Sequence, residues 1–147
     1  MRVLWLVSAL ILAAGCGRGS RTVEVPAGAG SAPGLGSSLN VRVSGDSAHF
    51  ELHITNTTSG PVTVSYMSAQ RYDFEVTRGS GEVVWRHSAD QLYAQVTGRE
   101  VLQAGETKRY VATWIARGHT GDYVATARLT SDSHPVELRT VFRLPAD

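Results

Sequence analysis

The stretch Ser68–Ser88 constrains the chain more than any other. Tyr72, Phe74 and Val76 alternate with Asp73, Glu75 and Thr77, and a two-residue period is that of a half-buried strand. Gly79, Ser80 and Gly81 follow and supply the backbone freedom of a tight reversal. The chain then returns through Glu82–Arg86. The spacing predicts one β-hairpin, with Val83 and Trp85 on one face and Val84 and Arg86 on the other. Tyr72, Phe74 and Trp85 are assigned to the core, and Asp73 and Glu75 to solvent.

The same period recurs along the chain. Leu39–Val43 reads as a strand closed by a turn at Gly45 and Asp46, and Ser47–Asn56 places Phe50, Leu52 and Ile54 inward. Pro61–Tyr66 begins with a proline where no ladder donor is needed. Asp90–Val96 lacks clean alternation and reads as a loop or one helical turn, and Arg99–Leu102 as a short strand. Thr107–Ala116, Tyr123–Thr130 and Val136–Leu144 alternate again, with Pro135 placing the last at an edge. About seven to eight short strands with no long helix describe an all-β, immunoglobulin-like antiparallel β-sandwich, here assigned to residues 39–147. Phe50, Phe74, Trp85, Trp114, Tyr123 and Phe142 form its expected core.

Such a sandwich has no staple, because Cys16 is the single cysteine among 147 residues. Its position explains it better than redox chemistry does. Arg2, the apolar run Val3–Ala14 and the small residues Ala13, Ala14 and Gly15 have the order of a secretory signal peptide. The run rises only about 18 Å as a helix, too short for a hydrocarbon core of about 30 Å. Ala-Ala-Gly-Cys resembles a bacterial lipobox, with Ala13 where leucine is usual. Residues 1–15 are therefore expected to be removed, and Cys16 to carry lipid that holds the protein to a membrane of the exported cell envelope. Residues 16–38, rich in Gly, Ser, Ala and Pro, read as a flexible linker.

Charge excludes one class of partner. Without residues 1–15, which carry Arg2 and no carboxylate, the basic and acidic residues balance. No basic stripe stands out, so a nucleic-acid partner is not expected. Chemistry is equally thin. His49, Glu51 and His53 share one side of a strand and are metal-ligating types, but an outward, solvated face has the same composition and no fourth ligand is evident. A Ser-His-Asp set can be picked from any chain this rich in those residues. No metal, cofactor or catalytic residue is assigned, and the chain does not read as an enzyme.

One combination of motifs is more specific. Asn56, Ser68-Ala69-Gln70, Tyr72-Asp73-Phe74, Gly81, Val84-Trp85-Arg86, Tyr93 with Gln95, Gly105-Glu106, Trp114, and Gly121 with Tyr123 resemble the pattern of the BsuPI family of intracellular proteinase inhibitors, across about Phe50–Leu129. Departures are Ala69 for glycine, Tyr93 for phenylalanine and Thr120 for proline. The resemblance implies an inhibitor that binds a protein partner, with a subtilisin-like serine protease as the implied target. Inhibitors of that kind offer a rigid loop as an extended strand. Tyr66, Met67, Ser68, Ala69, Gln70 and Arg71 form the first candidate loop and Ser88–Gly98 the second, with Arg71 or Arg99 available to a trypsin-like pocket. Tyr72, Asp73, Phe74, Trp85, Gly105, Trp114 and Tyr123 are read as scaffold. The competing reading is an envelope adhesion or assembly module with no protease partner.

Overall fold

The computed structural model describes residues 21–25 and 30–146. The expected signal peptide and Cys16 lie outside the described residues, as do residues 17–20 and 26–29 of the expected linker. Among the described residues ten antiparallel strands carry the fold: β1 (Arg21–Val25), β2 (Leu35–Ser44), β3 (Ser47–Asn56), β4 (Val62–Tyr66), β5 (Tyr72–Arg78), β6 (Val83–Arg86), β7 (Gly98–Leu102), β8 (Thr107–Ile115), β9 (Gly121–Leu129) and β10 (Val136–Leu144). One sheet has the order β1-β2-β3-β8, the second β10-β9-β5-β6, and β4 pairs with β7 in a separate two-stranded ladder. A short 3-10 turn, His87–Asp90, is the one helical element among the described residues. The result is the all-β, immunoglobulin-like sandwich expected from the alternation.

The core follows the period of the strands. Leu39, Val41, Phe50, Leu52 and Ile54 from the first sheet meet Phe74, Val76, Ala125, Ala127, Leu138 and Phe142 from the second. Phe50 stands at the crossing, stacked on Phe74 at 5.7 Å and Trp85 at 5.5 Å and edge-on to Phe142 at 5.8 Å. Each such ring pair is worth about 0.5–1.5 kcal/mol beyond the apolar area it buries. An aromatic seam continues through Trp114, 6.4 Å from Trp85, to Tyr123, 5.6 Å from Trp114.

Three expectations are corrected. The first domain strand begins at Leu35, not Leu39, and β1 pairs with it inside the segment read as linker. Composition misled there: Leu35 is buried, and the small residues between Leu35 and Leu39 let β2 pair with β3 along its whole length. Asp73 and Glu75 are 8% exposed rather than solvated. They sit on the outer face of β5, an interior strand of its sheet, where Glu75 is covered by ion pairs with Arg86 and Arg128. Finally, Val83 and Trp85 do not share a face. Val76 pairs with Trp85 but Thr77 with Val83, a bulge that spends Val84 as the extra residue. Trp85 stays half-buried against the core while Val83 is exposed. The turn itself is as expected, closed by Gly81 at φ 87°.

Candidate functional site

Two loops meet at one end of the sandwich. The first, residues 67–71, joins β4 to β5 and the second, residues 91–97, runs from the 3-10 turn to β7. The Ala69 amide donates to the Ala94 carbonyl at 2.9 Å, tying the two together. The sequence nominated both loops, but nothing in it paired them.

The first loop is braced from below. Arg71 lies 4.3 Å over the Tyr66 ring, its Nη1 donates to the Ser68 carbonyl at 2.7 Å, and its Nε donates to Glu100 Oε1 at 3.1 Å. Gly98 makes room, because a Cβ there would stand 2.5 Å from an Arg71 nitrogen. Thr130 holds the far side: its amide donates to the Arg71 carbonyl at 3.0 Å and its hydroxyl to the Gln70 carbonyl at 2.9 Å. Tyr66 is 2% exposed. Tyr66 and Arg71 were expected to be offered to a partner; the structure gives both internal work, because an arginine so close to a half-buried carboxylate and a buried ring is satisfied there.

The second loop hangs from Asp73. Its Oδ1 accepts from the Phe74 amide at 2.9 Å and the Ser88 amide at 3.1 Å, and its Oδ2 accepts from the Ser88 hydroxyl at 2.6 Å. Charge-assisted bonds of this kind are stronger than neutral ones. The Gln91 amide donates to the Ser88 carbonyl at 3.2 Å, and the Tyr93 hydroxyl donates to Gln91 Oε1 at 2.8 Å. His87 stacks on Tyr72 at 5.3 Å, and Tyr72 on Tyr110 at 4.9 Å, so the turn leading into the loop rests on rings.

With the backbones fixed, apolar side chains point outward. Met67 is 67% exposed, Val96 58%, and Leu92 fully. The charged support sits behind them. Burial alone would raise the Glu100 carboxyl, but its bonds and charge contacts with Lys108 and Arg71 outweigh this and hold it below its ordinary value. Lys108 is raised in turn by its bond to Glu100. Burial, reinforced by the neighbouring Tyr110, pushes the Tyr66 phenol well up, so it stays neutral. Arg99 is exposed on β7 and makes no ion pair among the described residues.

The other sequence-predicted residues fall away from this end. Asn56 is fully buried, its Nδ2 donating to the Gly60 and Leu102 carbonyls at 2.7 and 2.9 Å. Gly105 joins it, its amide donating to the Asn56 carbonyl at 3.0 Å. Trp114 and Tyr123 are core. His49 bonds Thr113 at 3.0 Å, whereas Glu51 is engaged by His53 at 3.3 Å and Arg109 at 3.2 Å. Among the described residues no group of three His, Cys, Asp or Glu comes together as a metal site. Sequence reasoning nominated the stretch Ser88–Gly98 without giving Ser88 or Leu92 a role of its own, and it missed Glu100. Leu92, one of few apolar residues in a stretch without alternation, was the available signal.

The fold and the braced loops define an all-β sandwich that presents loops from one end. Its sequence matches the BsuPI family, described as intracellular proteinase inhibitor, over residues 35–134, and the chain belongs to that family. No curated protein sequence matches it. Among solved structures it is similar to a GH3 β-glucosidase from Bifidobacterium adolescentis, with TM-score 0.38 and 14% identity over 87% of this chain and 18% of that one. It is likewise similar to β-glucosidase 3B from Thermotoga neapolitana, with TM-score 0.38 and 12% identity over 86% and 17%. The putative ApaA protein from Bordetella pertussis gives TM-score 0.37 and 17% identity over 88% and 96%. The chain thus spans under a fifth of either β-glucosidase.

Proposed function

We propose that the protein inhibits a serine protease of the subtilisin-like type, binding it through residues 67–70 and 92–96. The observation that carries this reading is the Ala69–Ala94 bond between two loops whose anchors are internal and whose apolar side chains point out. A loop ordered before binding loses little entropy on binding, the usual economy of a protein inhibitor. Family membership supports the class of activity. The family description is intracellular, whereas residues 1–16 have the order of an export signal ending in a lipid-bearing cysteine. We therefore propose that this member works outside the cytoplasm, tethered to a membrane through Cys16.

Titrating the purified full chain into subtilisin-like and trypsin-like proteases tests the activity. Stoichiometric loss of hydrolysis is expected for at least one enzyme. No loss across the panel would leave an interaction module without a protease partner as the better account. The tether has its own test: Cys16→Ser should release the protein from the membrane fraction, and unchanged partitioning would remove lipid attachment.

A further inference from the structure

Building on the inhibitor reading, we infer that Leu92 selects the protease and that the pocket receiving it is apolar, not acidic. Three features converge on this residue. Its side chain is fully exposed. Among the described residues its backbone makes no hydrogen bond, so both its N–H and C=O are open to a partner's main chain. Its neighbours on both sides are nevertheless held: Gln91 is extended at φ −119° and ψ 141° with its amide bonded to Ser88, and the Ala94 carbonyl is bonded to Ala69. A loop pinned at Gln91 and Ala94, with open backbone groups and a free side chain between them, offers what a protease groove reads in a substrate.

The basic alternatives lack this combination. Arg71 is bound to Glu100 and Ser68. Arg99 is exposed, but its position lies within β7, paired with Ser65 across the ladder, and not on the loop. An acidic pocket closing on Leu92 would bury its carboxylate without a partner, at a large cost. An apolar pocket loses nothing. Met67 and Val96 are also exposed on the same paired loops and add apolar side chains there.

The test uses the full chain against three enzymes: subtilisin and chymotrypsin, whose primary pockets are apolar, and trypsin, whose pocket holds a carboxylate. The natural chain should inhibit an apolar-pocket enzyme and spare trypsin. Leu92→Asp should weaken that inhibition about 30-fold or more, as loss of a central anchor does, with thermal melting unchanged because the side chain touches nothing inside. Leu92→Arg should move inhibition toward trypsin. If the natural chain inhibits and Leu92→Asp inhibits equally well, another residue selects the protease and the inhibitor reading stands without this inference. Inhibition of trypsin alone by the natural chain has the same consequence. If the natural chain inhibits none of a wider serine-protease panel, both fall.

Discussion

Tyr72, Phe74 and Trp85 in the central hairpin turn their rings inward, whereas Met67, Leu92 and Val96 on the adjoining loops expose their aliphatic side chains. The hairpin is held by apolar burial, which is non-directional and tolerates approximate placement. The loops bury almost nothing apolar and are held by hydrogen bonds to Asp73, Arg71 and Thr130. Asp73 belongs to both regions, since it is a residue of β5 whose carboxylate faces away from the core and seizes Ser88. The difference teaches that stability and presentation are separable here. Removing core should unfold the protein, and removing an anchor should loosen the loops on a sandwich that stays folded.

Trp114→Ala should break the first half of that contrast most forcefully. Trp114 is buried against Trp85, His119 and Tyr123, and its loss should cost about 3–5 kcal/mol in denaturant unfolding. Trp85→Ala should cost less, roughly 2–3 kcal/mol, because that ring is only partly removed from water. Equal losses would show that the half-buried position is as critical as the core.

Asp73→Ala probes the shared residue. It strips acceptors from the Phe74 amide, the Ser88 amide and the Ser88 hydroxyl, and should cost about 2–3 kcal/mol. Its sharper signature is local: hydrogen exchange at the Ala69 amide should accelerate more than exchange in β3. Uniform acceleration would mean that Asp73 serves the whole sandwich. Arg71→Ala should cost only about 1 kcal/mol, since its ion pair with Glu100 is partly hydrated. The same variant should weaken protease inhibition, because the Ser68 carbonyl loses its donor.

The smallest effect is with pH. Glu100 has its carboxyl held below the ordinary value of 4.5, so the unfolded chain binds that proton more readily. The stability it contributes is present above 4.5 and is lost as pH falls through the lower folded value. Lys108 is raised above 10.5, so its contribution is complete below that pH and is lost as pH rises through the folded value. Unfolding curves for Glu100→Gln should be flatter than those of the natural chain at the acid end. Identical slopes would remove Glu100 from the support of the first loop.

Much of the fold was legible because a strand's period is written in its own residues. Phe50 and Phe74 sit between polar neighbours, Tyr123 and Phe142 keep the same two-residue spacing in their strands, and each is buried. The turn at Gly79–Gly81 and the edge position of the strand after Pro135 were likewise local. Errors arose where a property depends on a neighbour. Asp73 and Glu75 looked solvated because alternation names two faces but does not say what covers the outer one. Residues 35–38 looked like linker because their small side chains carry little apolar signal, yet pairing with β3 uses only backbone groups.

The candidate site divides along the same line. The sequence by itself determined that a tight hairpin organises the domain, that two irregular stretches flank it, and which family pattern its residues carry. Tertiary structure alone decided that those stretches are hydrogen-bonded to each other, that Tyr66 and Arg71 face inward, and that Leu92 stands free between held neighbours. Period and turn chemistry act over a few residues, whereas Ala69 meets Ala94 and Asp73 meets Ser88 only after the sheets have packed. Long-range hydrogen bonds leave no repeat in the sequence, so the presenting surface becomes visible only in the folded chain.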